Sequence, residues 1–312
     1  MNYLFTLVIV LAGLTKLSGQ HASPTKRVSP QAGSSYLRLQ VLLDRAHFSP
    51  GEIDGVPGEN TRKALRAFRA AHRLRAAADL SPTTLLALEV GSETVPTLVA
   101  YTVTEEDVRG PFVIIPKELV EQANLPVLDY QSPLEGLGEK FHTNPKLLSR
   151  LNKDKDISSV GIEIQVPNVR EDVPPKAAKV VVSKSKRLLE VLNAAGRVVA
   201  EYPTTSGSRH DPLPLGRWKV THVTPKPVFY YNPDLFWNAP ESDAKVKIQP
   251  GPNNPAGVVW IGISKEHYGI HGTPEPSIVG RAESHGCIRL TNWDAAELAK
   301  IVTSGTPVIL KE

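Results

Sequence analysis

Tyr268-Gly-Ile-His271-Gly-Thr273 is followed, ten residues on, by Ser284-His285-Gly286-Cys287-Ile288-Arg289-Leu290, which carries the one cysteine of the 312-residue chain. A free thiol titrates near about 8.5, so only a small part is thiolate at neutral pH. An imidazole in reach takes the proton, or holds it as imidazolium and stabilises the thiolate. His285 stands two residues from Cys287; in an extended segment the two share a face, but the ring need not meet the sulfur. His271 stands at a separate strand end, and the loop Pro274 to Glu283 brings the chain back so that its ring can face the thiol. Gly286 permits a sharp turn before Cys287, and backbone N–H groups in such a turn can form an oxyanion hole. The bland alternative is an inert buried thiol. In an exported chain, however, an unpaired cysteine calls for an explanation.

The surroundings read as a mostly-β domain. Val180-Val-Val182 is a strand, and Arg187–Leu192 and Arg197–Tyr202 flank Asn193-Ala-Ala-Gly196 as a hairpin. Thr204–Gly207 ends it. Pro214–Val220 and Val258–Ile263 are further strands. Asp294 with Glu297 is expected to cap a helix whose Ala295, Leu298, Ala299 and Val302 share a face. Gly305 ends that helix and Pro307–Leu310 is the last strand. Many short strands with one late helix predict a sandwich or barrel. Trp218, Trp237 and Trp260 are expected in its core. His210-Asp211 lacks paired ligand spacing and reads as a loop, so no metal is expected.

Upstream, Leu39, Leu42, Leu43 and Ala46 fall on one helical face, which breaks at Ser49-Pro50-Gly51. The loop Ile53-Asp-Gly-Val-Pro-Gly58 follows. Thr61 is expected to cap a second helix with Ala64, Leu65, Phe68 and Ala71 inward, and Ser81-Pro82 starts a third. Between the helical and β regions, Tyr101–Val103 and Glu163–Pro167 read as strands enclosing helices at Leu134–Phe141 and Pro145–Leu151, the second capped by Asn144.

The chain has 41% hydrophobic and 22% charged residues, ordinary for folded protein, and a net charge of +4. The basic residues are scattered without aromatic interleaving, which argues against a nucleic-acid partner and suits an acidic polymer such as a cell wall. Leu4–Leu14 is an apolar run well short of the ~20 residues of a spanning helix, so it reads as a signal segment rather than a stable membrane span. Small and polar residues follow it, and cleavage is expected after Ala22.

These elements resemble known wall-enzyme modules. His-Gly-Thr followed by Ser-His-Gly-Cys, with Pro214-Leu-Gly-Arg-Trp upstream, resembles the L,D-transpeptidase (YkuD-type) catalytic domain over about residues 178–311. Leu39-Gln40, Gly51-Glu-Ile-Asp-Gly55, Gly58, Thr61, Ala64-Leu65 and Phe68 resemble a small helical peptidoglycan-binding domain. The strand–helix–helix–strand order resembles a LysM glycan-binding module, with a first loop, residues 104–132, longer and richer in proline than usual. The resemblance implies a multidomain chain: signal segment 1–22, linker 23–35, all-α module 36–91, α+β LysM-like module 100–169 and mostly-β catalytic domain 178–311. It implies Cys287 as nucleophile and His271 as base, with Thr273 or the Gly272 carbonyl orienting the imidazole. Ser284, His285 and Gly286 would shape the oxyanion site, and Arg289 would bind a stem-peptide carboxylate. It further implies acyl transfer on peptidoglycan stem peptides without a cofactor, acylation by carbapenems, and a place in the periplasm or wall. The acceptor is left open between another stem's amine, water and a protein lysine. The rivals are a non-catalytic wall-binding protein and a zinc peptidase, which a chelator would inactivate.

Overall fold

The computed structural model describes residues 35–75, 81–90, 95–237, 239–284 and 286–312. The signal segment, nearly all of the first linker and His285 lie outside them. Three helices open the described chain: α1 Ser35–Arg45, α2 Glu59–Ala71 and α3 Pro82–Glu89. Leu39, Leu42 and Leu43 of α1 bury against Ala64, Leu65, Phe68 and Leu88, the face the apolar spacing predicts. Ser81 caps α3 by accepting from the Thr84 N–H. The cap of α2 is Gly58 and not Thr61. Thr61 sits inside the helix, where its hydroxyl accepts from the Gln40 amide at 3.2 Å. The same glutamine accepts from the N–H groups of Asp54 and Gly55, so it fixes the Ile53–Gly58 loop from within.

The middle region begins with β1, Leu98–Thr102, three residues before the expected strand, and ends with β2, Glu163–Pro167. The two strands pair antiparallel. Between them run α4 Glu105–Val108, α5 Leu119–Gln122, α6 Pro133–Lys140 and α7 Pro145–Leu151. Asn144 caps α7 through the Lys146 N–H. Val103, Leu137, Leu148, Ile164 and Val166 form the core. The proline-rich stretch before α6 packs its Leu128 against Tyr231 and Ile248 of the third region.

That region contains β3 Lys179–Ser183, β4 Leu188–Leu192, β5 Val198–Pro203, β6 Thr205–Ser206, β7 Gly216–Pro225, β8 Phe229–Tyr231, β9 Val246–Ile248, β10 Val259–Ile263, β11 Gly269–His271, β12 Ile288–Arg289, α8 Asn292–Ile301 and β13 Pro307–Lys311. Among the described residues β8 and β9 pair only with each other, and the other nine strands form one sheet in the order β5-β4-β3-β13-β7-β10-β11-β12-β6. The two ends of that order, β5 and β6, are separated in the chain by Thr204 alone. The sheet must therefore curl until its edges nearly meet, which gives the barrel-like form the strand pattern predicts. Val180, Val182, Leu189, Val191, Ile261, Ile270 and Ile288 line its interior, where Leu298 and Ile301 of α8 also pack. Truncating one such residue to alanine costs about 2–5 kcal/mol.

Two expectations fail here. Thr291, not Asp294, caps α8, accepting from the Asp294 N–H at 3.2 Å. Asp294 and Glu297 are instead buried acceptors for Arg170, whose guanidinium also meets Asp44 of α1. Trp237 is not core: it is 60% exposed, with His210 stacked on its ring. Trp218 is half-buried against the core, and Trp260 belongs to the site described next.

Candidate active site

β11 and β12 are parallel neighbours, with Ile270 opposite Ile288 and His271 opposite Arg289. Ile270 and Ile288 are fully buried in the sheet interior. Strand alternation puts His271 and Arg289 on the other face, and extends the register to set Cys287 opposite Gly269 on that same face. Cys287 is thus the diagonal neighbour of His271, two residues along and one strand across, about 8 Å between backbones. Side chains of this length can close that gap.

The imidazole is held in one tautomer. His271 Nδ1 donates to the Gly272 carbonyl at 2.7 Å, so Nε2 carries the lone pair. Trp260 stacks on the ring, with centroids 5.4 Å apart. The same indole covers Gly269, where a Cβ would lie 2.5 Å from it. Burial, and next the Arg289 charge, push the His271 pKa down to about 3, although the Gly272 bond opposes this. The resting ring is therefore neutral.

The Cys287 thiol is half-buried and points at the His267 carbonyl, 3.7 Å away. Burial pushes its pKa up; the Gly269 N–H and the Arg289 charge pull the other way. Resting thiol and resting imidazole are both uncharged. Gly286 has φ +98°, and a Cβ there would lie 2.8 Å from the Tyr268 ring, so any side chain would be both strained and blocked. Ser284 is buried; its hydroxyl donates to the Cys287 carbonyl and accepts from the Gly207 N–H, each at 2.7 Å. Thr273 is also buried, and its oxygen accepts from the Glu275 N–H at 3.3 Å. It closes the turn after His271, leaving the ring to Gly272. Arg289 has a buried Nε with no partner among the described residues, while its charge is felt at both Cys287 and His271.

The profile of the YkuD family, described as an L,D-transpeptidase catalytic domain, matches residues 177–310. A peptidoglycan binding domain profile matches residues 32–88. The YkuD protein of Bacillus licheniformis, named as an L,D-transpeptidase, is 34% identical over 179 residues, which span 56% of this chain and 91% of that one. The chain belongs to the L,D-transpeptidase family. YqjB of Bacillus subtilis, also named as an L,D-transpeptidase, is 31% identical over 46% of this chain and 76% of its own. Among solved structures, an L,D-transpeptidase from Mycobacterium smegmatis is 22% identical, covering 49% of this chain and 65% of that one with a TM-score of 0.35.

Within this L,D-transpeptidase-family chain, the motif residues Cys287, His271, Gly272, Thr273, Ser284, Gly286 and Arg289 gather around β11 and β12. The motif does not name Trp260 as the floor of the site. The signal for it was alternation: Trp260 pairs with His271 across β10 and β11, and so shares its face. Asn292 was also missed. Its Oδ1 accepts from the Val258 N–H and would lie 2.1 Å from a Cβ at Gly272, so it backs the residue that orients the imidazole.

Proposed function

We propose that this chain is a cysteine-dependent L,D-transpeptidase that joins peptidoglycan stems by 3→3 cross-links. The observation that carries the reading is the parallel pairing of β11 with β12, whose register carried one residue back sets Cys287 diagonal to His271, together with the Gly272 bond that leaves Nε2 of the ring as a proton acceptor. Cys287 Sγ attacks the carbonyl of the third stem residue of a tetrapeptide donor, a diamino acid, and its proton passes to His271 Nε2. The tetrahedral intermediate collapses, the C–N bond to the terminal D-Ala breaks, and the imidazolium protonates the departing amine. The side-chain amine of a second stem then attacks the thioester, gives a proton to His271 and releases the thiol. The acyl bond energy is kept in the thioester, so the chemistry requires no cofactor.

Arg289 has two parts in this reading. Its unpartnered Nε offers a donor to a stem carboxylate. Its charge also holds down the His271 pKa, so a carboxylate paired with it makes the ring a stronger base once substrate is bound. Water as the acceptor would trim stems instead of joining them. The peptidoglycan-binding match supports a site of action at the wall, with export to the periplasm or wall as the route. Carbapenems, as strained acyl donors, acylate Cys287.

The test is incubation with purified tetrapeptide muropeptides, read by mass spectrometry. The unmodified chain releases D-Ala and yields a cross-linked dimer; Cys287→Ala yields neither. An equally active variant, or an unmodified chain that leaves the muropeptide intact, overturns the reading.

A further inference from the structure

The Gly272 carbonyl that holds the His271 ring is itself braced from outside the β-rich region. Asn292 opens α8 and is 2% exposed, and its amide meets three partners. Oδ1 accepts from the Val258 N–H at 3.1 Å. Nδ2 donates to the Pro252 carbonyl at 3.1 Å and to Glu139 Oε1 of α6 at 2.8 Å, so each of its two N–H groups has an acceptor. Turning the amide over would set its NH2 against the Val258 N–H and its oxygen against the Pro252 carbonyl. One orientation is therefore fixed. In it, Oδ1 would lie 2.1 Å from a Cβ at Gly272 and at the same distance from one at Gly257. The backbone of both glycines thus rests on this side chain, and the turn after His271 is stopped against it.

The shortest of the three bonds comes from the middle region. Burial pushes the Glu139 pKa up to about 8, so at neutral pH its carboxyl is uncharged and accepts from Asn292 without placing an anion behind the site. The same region bolts down the loop that leads to Gly257. The Leu128 N–H donates to the Pro250 carbonyl at 3.1 Å, and the Asn253 N–H donates to the Leu128 carbonyl at 2.9 Å. Asn253 Nδ2 donates to the Asp129 carbonyl at 3.0 Å and to Glu135 Oε1 at 2.9 Å. A Cβ at Gly251 would lie 2.1 Å from the Leu128 carbonyl oxygen, so the two backbones touch with no side chain between them. A module that only tethered the chain to glycan would need no bond to the turn behind the base.

We propose that Glu139 is a positioning residue for His271, acting through Asn292 and Gly272, so that the middle region completes the acyl-transfer site. The proposal rests on the acyl-transfer reading for what the ring does, though not for how the ring is held. Glu139 secures the Asn292 amide, the amide seats Gly272, and the Gly272 carbonyl takes the Nδ1 proton, which leaves the Nε2 lone pair free. Without the Glu139 acceptor, one N–H of Asn292 goes unpaired and the amide loosens. The Gly272 carbonyl then shifts, and the ring samples its other tautomer. In that tautomer Nε2 already carries a proton and cannot take one from the thiol.

The test uses the full chain and reads two quantities. The nitrogen NMR shifts of the His271 ring at neutral pH, assigned against His271→Gln, report its tautomer, and the rate of carbapenem acylation reports the site. The parent should show the Nδ1–H tautomer alone. Glu139→Met fills the same space with no acceptor and removes a buried carboxyl, so folding is not put at risk. It should show both tautomers and acylate about tenfold more slowly. Glu139→Gln keeps an oxygen for the same bond, and should keep the tautomer and stay within about twofold of the parent rate. Leu148→Val loosens the core of the middle region without removing a partner of Asn292, and should lower the melting temperature with ring and rate unchanged. A ring that keeps its tautomer in Glu139→Met, a Glu139→Gln variant as slow as Glu139→Met, or the same losses in Leu148→Val overturn the proposal. Failure of the acyl-transfer reading shows elsewhere, as a parent that forms no thioester with a tetrapeptide donor while the tautomer still follows the residue at position 139.

Discussion

The Ser284 hydroxyl donates to the carbonyl of Cys287 at 2.7 Å and receives the Gly207 N–H at the same distance. It ties the end of β6 to the backbone that presents the thiol. The Ser284 N–H returns a bond to the Gly207 carbonyl at 3.2 Å, so the clamp is double. Gly207 has φ +60°, and a Cβ there would lie 2.5 Å from the Leu213 nitrogen.

Ser284→Ala should slow carbapenem acylation of Cys287 about tenfold, because the carbonyl loses its partner and the turn at Gly286 loosens. Stability should fall by about 1–3 kcal/mol, the cost of the two hydrogen bonds that the buried hydroxyl makes. Stopped-flow acylation beside a thermal melt checks this. A large loss of Tm with unchanged acylation would assign Ser284 to the fold alone.

The thiol should alkylate without an acid-side plateau. Burial raises the Cys287 pKa and lowers that of His271 to about 3, so no thiolate–imidazolium pair forms between pH 5 and 7 in the free protein. The iodoacetamide rate should climb about tenfold per pH unit through neutrality and level off only above the ordinary thiol range. Arg289→Gln removes a charge that favours thiolate and should shift the whole curve to higher pH. A rate already level at pH 6 would mean a preformed ion pair.

The local sequence carried the proposed chemistry, and it did not carry the assembly. The spacing from His271 to Cys287 pointed to the proposed nucleophile and base because the two flank one loop between adjacent strands. The helix faces of α1 and α2 were readable because their apolar residues repeat at three and four. Leu37 and Val41 lie on another face of α1 and bury against Leu147 of α7, a contact that no single-helix pattern discloses. Asp294 and Glu297 mimicked a capping box because the same residue types serve caps and ion clusters. Only the distant Arg170 separates the two readings. The exposure of Trp237 was hidden for a similar reason, since indole size predicts burial until a loop is known to carry it outward.

Arg170 joins the modules. Its guanidinium meets Asp44 of α1 and Asp294 and Glu297 of α8, all buried; His142 also reaches Asp44 at 3.0 Å, and His47 reaches Glu297 at 3.2 Å. The Arg170 charge favours the ionised form of each carboxylate; at Asp44 burial is the largest single effect, but Arg170 and His142, by charge and hydrogen bond together, outweigh it and hold the pKa well below the usual carboxylate range. Arg170→Met leaves three buried carboxylates without their cation and should cost about 3–5 kcal/mol. Limited proteolysis should then cut between the modules. Arg170→Lys keeps the charge but cannot reach three partners, and should recover only part of the loss. A variant as stable as the parent would show that the cluster is incidental to docking.

Glu201 sets a pH dependence with a defined sign. It lies on β5 beneath α2, 3% exposed, with one buried carboxylate oxygen unpartnered among the described residues. Burial, and then repulsion from Glu190, push its pKa from 4.5 to about 8, although Lys186, Lys63 and Arg66 oppose this. The unfolded chain gives up this proton near the ordinary carboxyl value, whereas the folded chain keeps it to about pH 8. Stability therefore drains as pH rises through that window and levels off above it. Glu139 adds a loss of the same sign, with its pKa also about 8. Glu201→Gln removes one of the two. Its Tm should match the parent near pH 4 and exceed it at pH 9, by an amount equivalent to about 1–3 kcal/mol. Urea unfolding at the two pH values measures the difference directly. A gain at pH 4 equal to that at pH 9 would mean that packing, and not the buried charge, separates glutamine from glutamate at this position.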